Sequence, residues 1–173
     1  MNHIFVLGSL NMDFIISVKQ IPKMGETIQG SDFQSSPGGK GSNQAVALAK
    51  QGIETYMIGS VGDDIIGDEI LKSLNHYGVH DDFIQRVKNQ SSGVAMIILE
   101  DDDNRIITSA GANACHQIDR IQQSIHQFGK KDDYLLVQLE IPLSVVKEVL
   151  KTAKKIGMKT VLNAAPIKPL DGT

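Results

Sequence analysis

The chain has 173 residues, 41% of them hydrophobic and 21% charged, which is ordinary for one globular domain with its own core. A net charge of −3 excludes the basic surface typical of nucleic-acid-binding proteins, and no apolar run approaches the roughly 20 residues of a membrane-spanning helix. A single cysteine, Cys115, excludes a disulfide within the chain. We therefore expect a protein of the reducing cytoplasm, with neither nucleic acid nor a membrane as partner.

The N-terminal residues predict a buried strand followed by a hairpin. Ile4–Leu10 is a short apolar run, as expected of a strand that is covered on both faces. Phe14–Val18 and Glu26–Phe33 are half polar, and they flank the turn signal Ile21–Gly25. These two segments therefore predict a small antiparallel element outside the main sheet.

The rest of the chain alternates between helix and strand patterns. The predicted elements are helix Ser42–Gln51, strand Thr55–Val61, a helix capped by Asp63 and Asp64 that runs through Leu74, strand Phe83–Val87, the hairpin strands Gly93–Leu99 and Arg105–Ser109, helix Asp119–Phe128, strand Tyr134–Leu139, helix Pro142–Ile156 and strand Met158–Asn163. This order predicts an α/β fold, namely a doubly wound, mainly parallel sheet with helices on both faces.

The segment Gly38–Gln44, with the sequence Gly-Gly-Lys-Gly-Ser-Asn-Gln, is the sharpest functional signal. Its glycines allow the backbone to approach a ligand, and the helix that follows points its free N–H groups at the same place. The spacing fits neither a P-loop nor a dinucleotide fingerprint. Because Lys40 and Asn43 add hydrogen-bond donors, the segment favours a sugar or another polyol over a phosphate. A glycine-rich helix cap without a ligand is the alternative.

Three more polar residues lie at the predicted carboxyl edge of the sheet, where open α/β sheets bind ligands. Asn11 and Asp13 follow the first predicted strand, and they face one side of an extended segment because they are two residues apart. Glu140 follows the strand Tyr134–Leu139 and can accept a hydroxyl. The structural alternatives are a polar turn for the first pair and, for Glu140, an acid that stabilises the N-terminus of the next helix.

Neither the histidines nor the cysteine predict a metal site or a nucleophile. His76 and His80 have helical spacing, but Gly78 interrupts the helix between them. Cys115, the only cysteine, is expected to be a small packed residue, and the acidic run Glu100–Asp103 lacks the spacing of a calcium loop. We therefore assign no catalytic residue and no metal ligand within the chain.

Eight short segments, taken together, resemble the ribokinase-like (PfkB) family of sugar kinases, from Ile4 to about Pro166. In the family's order they are Gly8–Asp13, Met24–Thr27, Gly38–Ala45, Gly62–Gly67, Ser92–Ala95, Gly111–Ala114, Leu139–Pro142 and Asn163–Pro166. Chance does not account for eight matching segments in the order that the family has. The form Gly-Lys-Gly-Ser-Asn resembles the ribokinase branch more than the fructokinase or adenosine kinase branches.

The resemblance implies a site, a lid and a reaction. The sugar-contacting positions of the family fall on Asn11, Asp13, Gly39, Lys40, Asn43 and Glu140. Segments 14–33 and 93–109 fall on a β-sheet lid, which closes over the sugar and pairs with a second lid in a homodimer. The reaction is transfer of the ATP γ-phosphoryl group to the terminal hydroxyl of a pentose, expected to be ribose, with Mg²⁺ and a K⁺ activator.

Two family motifs are missing from the sequence. Neither the Asn-x-x-Glu motif, which organises Mg²⁺, nor the Gly-Ala-Gly-Asp segment, which carries the catalytic aspartate, occurs in residues 1–173. We therefore expect a partial domain that supplies the sugar-binding half. The C-terminal part of the family fold, the base and the sites for ATP, Mg²⁺ and K⁺ are expected to be outside this truncated chain, which alone would be inactive. The alternative is a non-catalytic sugar-binding or dimerisation module derived from such a kinase.

Overall fold

The computed structural model describes residues 2–101 and 103–167. Its elements are β1 (Ile4–Leu7), β2 (Asn11–Val18), β3 (Ser31–Gly38), α1 (Lys40–Ala49), β4 (Thr55–Gly62), α2 (Ile65–His76), β5 (His80–Val87), β6 (Gly93–Glu100), β7 (Asp103–Ser109), the short 3-10 helix Gly111–Ala114, α3 (Ile118–Phe128), β8 (Tyr134–Gln138), α4 (Leu143–Ile156) and β9 (Lys159–Asn163). The predicted alternation of strands and helices is confirmed.

Five strands form a parallel sheet in the order β5-β4-β1-β8-β9, hereafter the main sheet. Helices α3 and α4 pack on one face, in a core that includes Phe5 and Leu7. Helices α1 and α2 pack on the other face, in a core that includes Val6 and Ile70. Because consecutive residues of β1 enter opposite cores, this strand is buried on both faces. The doubly wound α/β fold is confirmed.

The other four strands form a separate sheet in the order β3-β2-β6-β7, hereafter the side sheet. Its two antiparallel pairs, β2 with β3 and β6 with β7, are the predicted hairpins. Strands β2 and β6 pair in parallel, so the hairpins join into one mixed sheet, which the sequence pattern did not indicate. All residues of β7 are exposed, so this edge of the side sheet is open to solvent.

Three predicted strand boundaries at the start of the chain are wrong. The first strand ends at Leu7 rather than Leu10, β2 begins at Asn11 rather than Phe14, and β3 covers Ser31–Gly38 rather than Glu26–Phe33. The backbone of Leu10 bonds to a side chain, Asn113, in place of a neighbouring strand. The polar run that contains Pro37 gives no strand pattern, but proline is tolerated here because β3 is an edge strand.

Within the described part of the chain, no helix has both the length and the apolar character that crossing a bilayer requires.

Candidate functional site

A cavity of about 380 Å³ opens where the main sheet meets the side sheet. The residues that line it are Ser9, Asn11, Thr108, Ser109, Ala110, Asn113, Leu139, Glu140 and Pro166. Ser9 and Leu139 follow the carboxyl ends of the adjacent strands β1 and β8, whereas Asn11 and Thr108 belong to the side sheet. The volume suits a small molecule, and both sheets contribute to its walls.

Three glycines, Gly8, Gly39 and Gly41, allow α1 to lie close to the end of β1. A Cβ atom on Gly41 would lie 2.7 Å from the carbonyl carbon of Gly8 and from the nitrogen of Ser9, so any side chain would push the helix away. Gly39 has a φ of 91° in the left-handed region, and a Cβ atom there would lie 2.8 Å from the Ser9 oxygen. The close approach of these backbones places Lys40 beside Glu140.

Glu140 is held by donors from two other segments. The Ser9 hydroxyl donates to its Oε2 atom at 2.5 Å, the Lys40 backbone N–H donates to the same oxygen at 3.0 Å, and the Lys40 ammonium lies 3.3 Å from Oε1. Burial by itself raises the pKa of Glu140, but these hydrogen bonds and the charge of Lys40 outweigh burial and hold the pKa below its usual value. Glu140 is therefore an ionised acceptor at neutral pH. It bonds the N-terminus of α1 rather than that of the helix that follows it.

Asp13 is a second carboxylate, and its pKa is shifted in the opposite direction to that of Glu140. It lies on β2 opposite Ser36, and its side chain fills the space above Gly38, where a Cβ atom would come within 2.2 Å of a carboxylate oxygen. Burial raises the pKa of Asp13, and the negative charge of Glu140 raises it further. Among the described residues, no donor or cation bonds to this carboxylate. Asp13 is therefore available to accept a hydrogen bond from a ligand.

Asn11 is tied to a buried asparagine that sequence reasoning missed. The Asn113 carboxamide, only 2% exposed, accepts from the Leu10 N–H at 2.9 Å and donates to the Leu10 carbonyl at 3.0 Å. It also donates to the Asn11 Oδ1 atom at 2.8 Å. The motif Gly111–Ala114 was the available signal for Asn113. Ser9 was also missed, although it is adjacent to the predicted polar pair.

Of the six predicted sugar-contacting residues, Asn11 and Glu140 line the cavity, and Lys40 contacts Glu140. Gly39 lies against Ser9, and Asp13 is near enough to Glu140 for that charge to raise the pKa of Asp13. Asn43 is different, because its exposed side chain lies on the first turn of α1 and lines a neighbouring groove together with Pro37 and Tyr77. The structure thus does not bring Asn43 to the cavity wall. Its role stays a prediction.

Comparison with known proteins gives a family match over nearly the whole chain. Residues 1–171 match the pfkB family of carbohydrate kinases. The chain belongs to that family. It is 40% identical to the ribokinase of Bacillus subtilis and 37% identical to the deoxyribokinase of Salmonella typhi, over 98% and 97% of this chain.

Solved structures show the same relationship. The structure of Arabidopsis thaliana ribokinase complexed with ribose and ATP superposes with a TM-score of 0.81 at 33% identity, covering 93% of this chain and 53% of that one. The chain spans only 58% of the Bacillus relative and 55% of the Salmonella relative. It therefore corresponds to a little more than half the length of the curated relatives that it matches.

Proposed function

We propose that this chain forms the sugar-binding half of a ribokinase and that the cavity beside Glu140 receives ribose. The observation that carries this proposal is that an ionised carboxylate, Glu140, and a carboxamide, Asn11, line one cavity, while the Asp13 carboxylate is near enough to Glu140 for that charge to raise the pKa of Asp13. Sugar hydroxyls both donate and accept, carboxylates only accept, and amide N–H groups donate. A wall that combines these groups matches a polyol better than it matches an anion.

The names of the relatives support a pentose as the substrate class. The Bacillus relative is a ribokinase, and the Arabidopsis structure contains ribose. The Salmonella relative is a deoxyribokinase, so deoxyribose is the competing sugar for this cavity. Discrimination between the two depends on groups that hydrogen-bond a single hydroxyl.

In this proposal the whole kinase transfers the γ-phosphoryl group of ATP to the terminal hydroxyl of ribose and forms ribose 5-phosphate. Such catalysis depends on positioning and on neutralising charge. Asn11, Asp13, Gly39, Lys40, Asn43 and Glu140 would hold the sugar. Residues 2–101 and 103–167 contain no group of three or more His, Cys, Asp or Glu side chains that fits a metal ion. We assign ATP, Mg²⁺, K⁺ and the catalytic base to the part of the fold that this chain does not span.

The side sheet is proposed as the lid over the sugar, formed by segments 14–33 and 93–109, and as the contact to a second copy of the chain. Register places Phe33, Met96 and Ile107 on one face of this sheet, opposite to the face of Asp13. Their exposed fractions of 64%, 45% and 64% leave an apolar surface open to water. A surface of this kind favours association, and a homodimer through the lid is the partner that we propose. A cytoplasmic location stays a prediction.

Calorimetric titration of the 173-residue chain with D-ribose tests the sugar site. We expect binding that Asp13→Asn weakens at least about tenfold, because a carboxylate can accept from two hydroxyls and an amide offers one acceptor oxygen. The matched control is Asp63→Asn, since Asp63 is exposed and does not line the cavity. A folded chain without ribose binding, or an equal loss in both variants, would refute the proposed site.

An ADP-release assay with ATP, Mg²⁺, K⁺ and ribose tests the assignment of the catalytic base. We expect no ADP above the blank from this chain alone. Turnover at an ordinary kinase rate, roughly 1–100 per second, would show that the base lies within it. A non-catalytic binding module is the competing function. It predicts that a longer form carrying the Gly-Ala-Gly-Asp segment would also fail to phosphorylate ribose.

A further inference from the structure

The two ends of an asparagine carboxamide are interchangeable in shape, so their orientation must come from the partners. For Asn113 the partners are unambiguous. The Leu10 backbone N–H can only donate, so the atom that it meets is the carboxamide oxygen of Asn113. The Leu10 carbonyl can only accept, so the atom that it meets is the nitrogen of Asn113. The backbone therefore fixes the orientation of Asn113 independently of its third contact.

The orientation of Asn11 then follows from that of Asn113. The second N–H of Asn113 points at Asn11, so the atom that receives it at 2.8 Å must be the acceptor, Oδ1. The NH₂ group of Asn11 is left on the other side of the carboxamide. Among the described residues it has no acceptor, and Asn11 lines the cavity. On the side away from Asn113, Asn11 therefore presents two hydrogen-bond donors and no acceptor.

Gly93 makes room for this pair of asparagines. It lies opposite Asn11 in the parallel pairing of β2 and β6. A Cβ atom on Gly93 would lie 2.1 Å from the Asn113 nitrogen and 2.3 Å from the Asn11 oxygen. Any side chain at this position would therefore occupy the place of the hydrogen bond that orients Asn11.

We propose that Asn113 is a positioning residue, which makes the site specific for a ligand oxygen that accepts a hydrogen bond at Asn11. The inference rests on the proposed sugar site, because the ligand oxygen would be a hydroxyl of the sugar. Asn113 itself uses both donors and its oxygen within the protein, so it acts through Asn11 rather than on the ligand. Glu140 supplies an acceptor to the same cavity, so Asn11 contributes the complementary donors.

Side-chain amide exchange in the chain labelled with ¹⁵N-asparagine tests the orientation without any sugar. We expect the NH₂ protons of Asn113 to exchange slowly, because both are hydrogen-bonded and the residue is buried. Those of Asn11 should exchange rapidly. In Asn113→Asp the carboxylate still accepts from Leu10 but repels the Asn11 oxygen, so Asn11 should turn and its NH₂ protons should become protected. Slow exchange at Asn11 in the unaltered chain would overturn the proposal.

Titration with D-ribose tests the consequence for the ligand. Asn113→Asp should bind ribose about tenfold more weakly, since the cavity then meets a carbonyl oxygen where it had donors. Gly93→Ala should weaken binding in the same direction by displacing Asn11. The matched control is Ser92→Ala, which removes hydrogen bonds of the adjacent residue to Asp64 and Gly62 and should lower stability without changing ribose affinity.

The two tests separate this inference from the proposed function. If the exchange pattern is as expected but the unaltered chain does not bind ribose, the sugar assignment is wrong and the orientation of Asn11 stands. If ribose binds equally well to the unaltered chain and to Asn113→Asp, the positioning role is wrong and the sugar assignment stands. If Asn113→Asp does not fold, the exchange pattern of the unaltered chain and the ribose affinity of Gly93→Ala decide the matter.

Discussion

The main sheet and the side sheet are built from similar short strands but are covered in opposite ways. In the main sheet, Phe5 is 1% exposed and Leu7 is fully buried, because helices pack on both faces. In the side sheet, Phe33 and Ile107 are each 64% exposed. Burial of a large apolar side chain stabilises a fold by about 1.5–3 kcal/mol. The main sheet therefore supplies most of the folding energy, while the side sheet leaves large apolar side chains exposed.

The candidate site lies on the junction between these two regions, and each region contributes a different electrostatic state. Glu140, at the end of a main-sheet strand, is surrounded by donors and stays ionised. Asp13, on a side-sheet strand, is half-buried beside that negative charge and has a raised pKa. A ligand hydroxyl that donates to Asp13 would supply a hydrogen bond that no residue in the described part of the chain supplies.

The largest expected effect comes from Gly41, where the main sheet meets α1. Gly41→Ala should destabilise the chain by at least about 3 kcal/mol, because the new Cβ atom would lie 2.7 Å from two backbone atoms that cannot move aside. The matched change in the side-sheet hairpin is Gly25→Ala, with a φ of 77° and no atom within 4 Å of the new Cβ. It should cost only about 1 kcal/mol for the left-handed backbone. Urea unfolding of both variants measures the difference, and equal losses would contradict the comparison.

A second effect is a pH dependence that originates at the face of the main sheet. Burial lowers the pKa of His116 to about 4, its Nδ1 atom lies 3.1 Å from the Ser60 hydroxyl, and its Nε2 atom is buried without a partner among the described residues. The unfolded chain binds a proton near pH 6.5, whereas the folded chain does not until about pH 4. The contribution of uncharged His116 to the free energy of unfolding is therefore fully present above pH 6.5, and it is lost as the pH falls towards about 4.

The expected loss between pH 7 and pH 5 is about 2 kcal/mol, measured by urea unfolding at each pH. His116→Gln should remove this slope, because glutamine does not titrate. The control is His126→Gln, an exposed position on α3, which should leave the slope unchanged. A slope that persists in His116→Gln would assign the pH dependence to other groups.

The sequence predicted the main sheet better than it predicted the site, for a physical reason. Apolar periodicity reports burial, so strands such as Thr55–Gly62 and helices such as Leu143–Ile156 were predicted nearly to the residue. The site at the junction of the two sheets depends on residues such as Gly8, Ser9 and Asn113. Their contacts are close approaches between backbone segments and side-chain hydrogen bonds, and they join residues far apart in the sequence. No local pattern encodes those contacts. The resemblance named segments that meet near the cavity, but it did not indicate the hydrogen bond between Asn113 and Asn11 or the place of Asn43 in a different groove.

A third effect concerns association through the side sheet rather than stability. Ile107→Lys should leave the free energy of unfolding within about 0.5 kcal/mol, because the side chain is already mostly in water. It should shift the chain towards the monomer in light scattering at micromolar concentration, since a charge then lies within the apolar face. Val161→Lys, at an exposed position of the main-sheet edge strand β9, is the control for association through the other sheet. If only the β9 variant dissociates the chain, the proposed lid contact is wrong.

The smallest effect is expected from the ion pair at the tip of the side sheet. The Arg105 guanidinium lies 2.8 Å from the Glu100 Oε2 atom, and the arginine side chain is 59% exposed. An exposed pair of this kind contributes about 0.2–1 kcal/mol, so Arg105→Ala should reduce stability by no more than that.

Glu100 has a second role, because its Oε1 atom accepts a hydrogen bond from the Ile21 backbone N–H at 2.9 Å and so connects the first hairpin to the second. Glu100→Ala should therefore cost more than Arg105→Ala, whereas Glu100→Gln, which keeps an acceptor for Ile21, should cost about the same. Equal losses in Arg105→Ala and Glu100→Ala, compared by urea unfolding in low salt, would mean that the contact to Ile21 does not hold the two hairpins together.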